Sequence, residues 1–458
     1  MFRQVYFLGI GGIGMSALAR YFNHAGAYVA GYERTPSSLT AALEQEGVSI
    51  HYDDAVESIP KPILEHPQDT LVIFTPAIPS DHNEWNYLQQ KGYKIIKRAR
   101  ALGEIAASKI CLAVAGSHGK TTTTTLLAHL FIDSGKGCTA FLGGISKNYQ
   151  SNLLLSHTTS PYLVAEADEF DRSFLQLHPH AAVITAVDAD HLDIFGTYEN
   201  LQEAFGDFVA QIKPQGVLVI KKGVEFPLPP TPAYRCYRYA LEDPSDFYAS
   251  RFTVEEGGCY CFDLHLAGQT VENCRLGIPG RVNVENAVAA SALAFLNGIP
   301  PQQIKAALAT FSGVTRRFDI QVNKAGCTYI DDYAHHPTEL TAALQSIRKI
   351  YPNRKITAIF QPHLYTRTRD FADAFAESLS LPDELILLPI YPAREEPIPG
   401  ISSEMLLSKT LLTEKRILAK EEVVDFLKTH PTDVLVTLGA GDIDRLVPQI
   451  KSLLEDRP

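Results

Sequence analysis

Gly116-Ser117-His118-Gly119-Lys120-Thr121-Thr122 is the stretch of this chain whose residue types and spacing are best suited to chemistry. It follows an apolar run, Ile110 to Ala115, and leads into Leu126-Leu127-Ala128, which spells a strand, a glycine turn and a helix start. Backbone N–H groups at such a turn converge on one point, and the helix N-terminus adds partial positive charge. A lysine beside the turn reaches a β- or γ-phosphate, and the next hydroxyl can hold Mg²⁺. The standard phosphate loop has a glycine six residues before the lysine, where this chain has Val114. A second glycine turn, Gly9-Ile10-Gly11-Gly12-Ile13-Gly14, follows the apolar Val5 to Leu8 and precedes Met15-Ser16-Ala17-Leu18-Ala19. It satisfies G-x-G-x-x-G between a strand and a helix, and Glu33, about 20 positions on, stands where a ribose hydroxyl partner is expected. That loop reads phosphates, so a dinucleotide and a UDP-sugar both fit it, and a nicotinamide-dependent oxidoreductase is one function it permits.

Acids gather where strands end. Tyr162 to Ala165 runs into Glu166-Ala167-Asp168-Glu169 and Asp171. Hard oxygen donors beside a phosphate loop suit Mg²⁺, and Glu166, first after the strand, is the best placed. Asp168, Glu169 and Asp171 fit a solvated acidic turn equally well. Ala181 to Ala186 leads to Asp188-Ala189-Asp190-His191-Leu192-Asp193, where a histidine among acids can ligate metal or bond phosphate. Asn283 and Asn286 share one face of a helix expected over Val282 to Ala294 and suit either an adenine edge or plain capping. Farther on, Arg316-Arg317-Phe318-Asp319, Asp331-Asp332-Tyr333-Ala334-His335-His336-Pro337, Gln361 to Arg369 and Leu438 to Asp442 place polar groups at strand ends. Three such turns in one segment argue for a binding face.

The elements needed to hold these groups follow from the apolar runs. Strands at Tyr28 to Gly31, Thr70 to Phe74 and Tyr93 to Ile96 complete a first α/β unit over residues 1–105. Residues 106–313 form a second unit around the lysine-bearing turn. Its stretch 222–275, rich in proline and short alternating runs, reads as a small antiparallel patch on the edge of that domain. Strands at Thr328 to Ile330, Lys355 to Phe360, Glu384 to Leu388 and Asp433 to Thr437 alternate with helices, giving a third parallel unit over 314–458. A chain of 458 residues is long enough for several cores. Its net charge of −11 argues against a nucleic-acid partner, and no apolar run approaches the ~20 residues that cross a bilayer. The first residues lack a secretory pattern. Seven scattered cysteines without a CxxC pair read as reduced thiols in a cytoplasmic protein.

The strings GIGGIGMS at 9–16, AGSHGKTTT at 115–123, EADEFDRSF at 166–174, DADHLD at 188–193, RRFD at 316–319, DDYAHHPTE at 331–339, QPHLYTRTRDF at 361–371 and LGAGDI at 438–443 together resemble the Mur ligase superfamily over essentially the whole length. The GIGGIGM loop is similar to that of the alanine-adding branch, and not to the recycling branch, which attaches a ready-made murein tripeptide. The resemblance implies an N-terminal Rossmann-like domain for a UDP-substrate, a central P-loop mononucleotide-binding ATPase and a C-terminal Rossmann-like domain for an amino acid. It implies an ATP-dependent ligase of peptidoglycan synthesis, joining L-alanine to the lactyl carboxylate of UDP-N-acetylmuramate through an acyl phosphate. Such an enzyme serves the cell wall, cell shape and division, working as a monomer or weak homodimer away from membrane and nucleic acid.

By family position, Gly11, Gly12, Ile13, Gly14, Met15 and Ser16 hold the UDP-substrate. Gly116, Ser117, His118, Gly119, Lys120, Thr121 and Thr122 hold ATP. Thr121 and Glu166 hold one Mg²⁺ and His191 a second, with Mn²⁺ able to substitute. Asn283 and Asn286 face adenine, and Arg317 and Asp331 lie near the phosphates or ribose. Tyr333, His335 and Arg367 frame alanine. Lys120, His191 and His335 are the expected catalytic groups, His335 or His336 taking the amine proton. Residues drawn from three domains imply closure on ligand binding. Three departures stand out: Phe205 where several relatives carry a carbamoylated lysine, Leu364 where many alanine ligases carry arginine, and Val282 where histidine is common.

Overall fold

Each block of short apolar runs closes into its own sheet in the computed structural model, which describes residues 2–156, 159–189, 192–255, 257–393 and 395–457. The first sheet is parallel, in the order β3-β2-β1-β4-β5, from β1 (Gln4–Leu8), β2 (Tyr28–Tyr32), β3 (Ser49–His51), β4 (Thr70–Phe74) and β5 (Lys94–Lys97). Alternate residues serve alternate faces, as the two-residue period of a strand requires. Val5, Phe7, Val29 and Ile73 join one core with the helix Ile13–His24, and Tyr6, Leu8, Ala30 and Val72 join another.

The second sheet has ten strands, ordered β15-β14-β13-β12-β11-β10-β6-β9-β7-β8. They are β6 (Ile110–Ala115), β7 (Thr139–Ser146), β8 (Ser151–Leu154), β9 (Tyr162–Glu166), β10 (Ala181–Ile184), β11 (Val217–Lys221), β12 (Arg235–Tyr239), β13 (Phe247–Val254), β14 (Cys259–Leu266) and β15 (Gln269–Pro279). The stretch 222–275 lies at the edge of this domain, as expected, but β12 pairs in parallel with β13. The stretch extends one edge of the central sheet, and β12 joins β11 in parallel. The strand expected to reach Ala186 stops at Ile184, because the Ala186 carbonyl accepts from Ser117 N–H in the glycine turn at 2.9 Å.

The third sheet runs β16-β17-β21-β18-β19-β20, from β16 (Asp319–Lys324), β17 (Cys327–Asp332), β18 (Ile356–Phe360), β19 (Glu384–Leu387), β20 (Lys415–Ile417) and β21 (Val434–Leu438). Only β16 is antiparallel to its neighbour.

The chain folds as two compact units. One comprises Met1–Phe252, Phe262–Leu276 and Glu285–Ser312, and so holds the first sheet and most of the second; the other comprises Thr253–Cys261, Gly277–Val284 and Gly313–Pro458. Within the first unit, Asn152 on β8 ties the two sheets together. Its Nδ2 donates to the Ile13 carbonyl at 2.6 Å and to Ser16 Oγ at 2.8 Å. All seven cysteines are free thiols, and among the described residues no helix is long and apolar enough to cross a membrane.

Candidate active site

Threonines after Lys120 are poor helix formers in isolation, because their hydroxyls compete for backbone bonds. Here the helix Lys120–Asp133 is buried, and the competition is turned inward: Thr124 Oγ1 donates to the Lys120 carbonyl at 2.8 Å and Thr125 Oγ1 to that of Thr121 at 2.7 Å. Thr121 and Thr122 are themselves buried in its first turn. The preceding turn needs glycine. Gly116 has φ +133° and a Cβ there would collide with Thr185 Oγ1; Gly119 has φ +80° and a Cβ there would lie 2.7 Å from Asn286 Oδ1. Asn286 is thus packed against the phosphate-type turn. Ser117 Oγ accepts from Asp188 N–H at 2.9 Å, and His118 Nε2 lies 3.4 Å from Asp188 Oδ2, so the turn is stitched to the end of β10.

Lys120 occupies the middle of this turn. Its Nζ donates to the Gly116 carbonyl and to Glu169 Oε1, each at 2.8 Å. Burial opposes the ammonium charge, but Glu169, Asp168 and Glu166 outweigh it and hold the group above its ordinary pKa. Glu169 is 1% exposed, so it is no solvated turn residue; its burial and its match to Lys120 arise from tertiary approach, which a local run of acids does not reveal. Glu166 lies directly against Gly143 on β7, where a Cβ would strike its carboxylate. Among the described residues no three His, Cys, Asp or Glu side chains form a metal cluster. His191 lies outside the described residues. Phe205 stands in the apolar core against Phe174 and Phe226, so no lysine carbamate is available at that position.

The first glycine turn is matched by charges of its own. Glu33 Oε2 accepts from Gly11 N–H at 2.7 Å, so this carboxylate sits on the turn itself and not at a distance suited only to a ribose. Arg98 lies over Gly14, its Nη1 2.7 Å from the place a Cβ would take. Gly12, Ile13, Gly14, Met15, Thr75, Arg98, Gly143, Glu166 and Asp168 line one cavity of about 260 Å³. The turn of the first sheet and the acid tip of β9 therefore share a single space. Met15 and Ser16, expected to touch the substrate, are buried, and Ser16 Oγ is held by Ile13 and Asn152. Ser16 thereby takes part in sheet-to-sheet packing, and Met15 lines the cavity.

In the second unit, the three polar turns do meet. β17, β21 and β18 are adjacent and parallel, so their ends fall on one edge. Gln361 binds that edge together: Nε2 donates to Asp442 Oδ1 and Oε1 accepts from Ile443 N–H, both at 2.9 Å. Arg317 and Arg316 place their guanidinium carbons 4.9 and 5.1 Å from the Tyr333 ring centre. Tyr333 in turn meets His335 edge to face, and His335 Nδ1 lies 3.0 Å from the Tyr333 carbonyl. Asp331, expected beside nucleotide phosphates or ribose, is instead fully buried. It accepts from Thr437 Oγ1 at 2.6 Å and pairs with Arg316, while burial raises its pKa. Asp331 sits one residue inside β17, where Thr437 and Arg316 hold its carboxylate. Asp332, the strand's last residue, accepts from Phe318 and Ala334 N–H groups. Burial raises it to about 6 against the opposing charge of Arg317.

His336 is buried at the N-terminus of the helix Pro337–Ile350, its Nδ1 accepting from Thr338 N–H at 3.4 Å. Arg367 is half-buried on the helix Tyr365–Asp370, whereas Arg369 is exposed and paired with Asp370 at 2.7 Å. Leu364 begins that helix at φ +71°, a conformation a branched side chain rarely adopts. Asn283 is buried, and its Nδ2 donates to the Pro279 carbonyl at 2.6 Å.

Three family signatures cover the chain in order: "Mur ligase family, catalytic domain" over residues 4–110, "Mur ligase middle domain" over 114–294 and "Mur ligase, glutamate ligase domain" over 316–441. The chain is 51% identical to the UDP-N-acetylmuramate–L-alanine ligase of Parabacteroides distasonis over 450 residues, 98% of this chain and 97% of that one. It is 48% identical to the protein of the same name from Phocaeicola vulgatus, with 99% of each chain covered. The crystal structure of UDP-N-acetylmuramate-alanine ligase from Thermotoga maritima superposes with a TM-score of 0.84 at 26% identity, over 99% of this chain and 100% of that one. A murein peptide ligase from Psychrobacter arcticus shares the fold, with a TM-score of 0.71 at 23% identity over 100% of this chain and 99% of the other.

Proposed function

The chain belongs to the Mur ligase family, and from that premise we infer that it joins L-alanine to the lactyl carboxylate of UDP-N-acetylmuramate, converting ATP to ADP and phosphate, in peptidoglycan synthesis. The observation that carries this reading is the shared cavity: the first glycine turn, suited to a diphosphate, opens onto the same space as Glu166 at the tip of β9. A sugar-nucleotide acid held by that turn would extend toward Glu166 and Asp168, whose charges act on Lys120 of the ATP-type turn. A nicotinamide oxidoreductase has no use for Lys120 or for the acids beside it.

Two anions, a carboxylate and a triphosphate, must approach to ~3 Å for phosphoryl transfer. Their repulsion has to be met by fixed positive charge. Lys120 supplies it, together with the N–H groups of the turn Gly116 to Thr122 and the start of the helix Lys120–Asp133. Thr121 and Glu166 offer the hard oxygens that hold Mg²⁺, with His191 for a second ion, and Mn²⁺ fits the same donors. The bound metal supplies further charge neutralisation. The carboxylate oxygen bonds to the γ-phosphorus as the bond to ADP breaks, giving an acyl phosphate. Asn286, against Gly119, and Asn283 serve the nucleotide base side, and Arg317 the phosphates; Asp331 acts by fixing Arg316.

Alanine is framed by Tyr333, His335 and Arg367. An Nδ1–H of His335 donated to the Tyr333 carbonyl leaves the proton-accepting lone pair on Nε2. That atom takes the proton of the attacking amine as the amide forms and phosphate leaves. The functional boundaries we assign are residues 1–105 for the UDP-substrate, 106–313 for ATP and 314–458 for the amino acid. The enzyme works in the cytoplasm as a monomer or weak homodimer.

The test is phosphate release with UDP-N-acetylmuramate plus alanine, serine, glycine or the L-Ala-D-Glu-diaminopimelate tripeptide in turn. Alanine supports release under this reading. Release with the tripeptide alone would assign a recycling ligase, and release with none would overturn the amide-forming reaction.

A further inference from the structure

Glycine within a helix is less stable than alanine, because it gives up more backbone freedom on folding. Gly14 is the second residue of the helix Ile13–His24, and its φ is not positive. In dinucleotide-binding turns the last glycine lets the helix pack closely on a strand. Here the three nearest atoms to a Cβ at this position all belong to one side chain: Arg98 Nη1 at 2.7 Å, Cδ at 3.1 Å and Cζ at 3.4 Å. The missing side chain makes room for a guanidinium.

Arg98 opens the helix Arg98–Ala107 directly after β5 and is 24% exposed. A guanidinium carries five donors in a planar fork that matches phosphate and carboxylate oxygens. Among the described residues its ion-pair partner is Asp168, at 3.8 Å, which is beyond hydrogen-bond reach. The group also lines the cavity shared by the first glycine turn and Glu166. A largely buried, under-coordinated cation facing such a space is arranged to receive an anion.

We propose that Arg98 is a substrate-binding residue whose guanidinium, admitted by Gly14, holds an anionic group of the UDP-sugar acid between the first glycine turn and Glu166. This rests on the function proposed above and adds a residue and a reason for the helix glycine. Two groups of that substrate share the chemistry, its diphosphate and its lactyl carboxylate. Asp168 is the placeholder: the bound anion takes the donors that now face it across 3.8 Å.

The experiment measures dissociation constants of UDP-N-acetylmuramate and of UDP for the full-length wild type, Arg98→Met, Arg98→Lys and Gly14→Ala, and the KM for ATP in each. Arg98→Met is expected to weaken UDP-N-acetylmuramate by about 10- to 100-fold, the size of a lost charge-assisted contact. KM for ATP should stay within about 2-fold, since the contact is uniform binding of the other substrate. Arg98→Lys keeps the charge without the fork and should fall between. Gly14→Ala displaces only the flexible end of Arg98, so it should fold normally and reproduce the loss. Combined with Arg98→Met it should add nothing further. Parallel loss for UDP assigns the diphosphate, and loss confined to the acid assigns the carboxylate. Unchanged affinity in Arg98→Met, or a Gly14→Ala loss that persists undiminished on top of it, overturns the proposal. Failure of the wild type to bind UDP-N-acetylmuramate would instead sink the functional reading.

Discussion

The two glycine turns share a layout, strand then turn then helix, yet each is guarded by the opposite charge. At Gly11 a carboxylate, Glu33, accepts from the turn's N–H. At Gly116 an ammonium, Lys120, donates to the turn's carbonyl and is held by Glu169. A glycine turn offers both kinds of backbone group, so its free state is set by whichever side chain the fold delivers. For the first turn, an incoming diphosphate meets the like charge of Glu33 on Gly11 and the opposite charge of Arg98 over Gly14. For the second, it meets a cation that must exchange an internal carboxylate for the ligand's oxygens.

The sharpest way to break this comparison is Lys120→Ala. It should lower alanine-dependent ADP release by about 10²- to 10³-fold, the scale of losing a preorganised charge at a reacting phosphoryl group. Near-normal turnover would show that the second turn works without its cation. Next in size is Gly116→Ala. The backbone lies at φ +133° with Thr185 behind it, so this variant should melt several degrees lower and bind ATP poorly. An unchanged melting temperature together with wild-type ATP affinity would mean the turn tolerates a Cβ.

Glu33→Gln addresses the first turn. The amide keeps an acceptor oxygen but removes the charge that competes with a diphosphate, so UDP should bind a few-fold more tightly. Weaker binding would assign Glu33 to the ligand and not to the turn. The equivalent change at the second turn, Glu169→Gln, should raise KM for ATP by loosening Lys120; a tighter KM there would erase the contrast between the two.

The smallest effect concerns what lies beneath the first turn's sheet. Glu84 is fully buried, accepts from Tyr6 OH at 2.5 Å and is raised by burial to about 8. Its folded pKa exceeds its unfolded value of 4.5, so the folded state keeps a proton that the unfolded state loses. Stability should therefore be fully present below 4.5, fall as pH rises toward about 8, and level off above it. Urea melts across that window should show a shallower slope for Glu84→Gln than for the wild type. A matching slope would place the titrating proton on a group other than Glu84.

Much of the machinery was legible in the residues alone. Both turns, the strand-end positions of Glu166 and of the Tyr333 and Gln361 turns, and the order of three α/β blocks follow from apolar runs, glycine placement and short motifs. These are local signals, carried by the two-residue period of strands and the steric freedom of glycine. The strands β1 and β6 needed nothing more, since their apolar runs and following turns bound them. The edge strands after residue 222 were harder. Their prolines and mixed polarity describe an edge, but not which sheet owns it.

Burial and partnership came only with the fold. Glu166 and Glu169 are separated by three positions in one acidic run, and either fits a metal or water by type. The packing of β9 against β7 puts one on Gly143, and Lys120 draws the other into the interior. Asp331 and Asp332 are neighbours, yet Thr437 and Arg316 claim the first. Gly14 and Arg98 are distant in the chain and meet only because β5 runs parallel to β4 beside β1. Residue type and spacing determined where charge is available along this protein. Which charges face each other was decided by the long-range approach of strands and helices, since Coulomb and desolvation energies depend on distance in space and on burial, neither of which is written in the order of the chain.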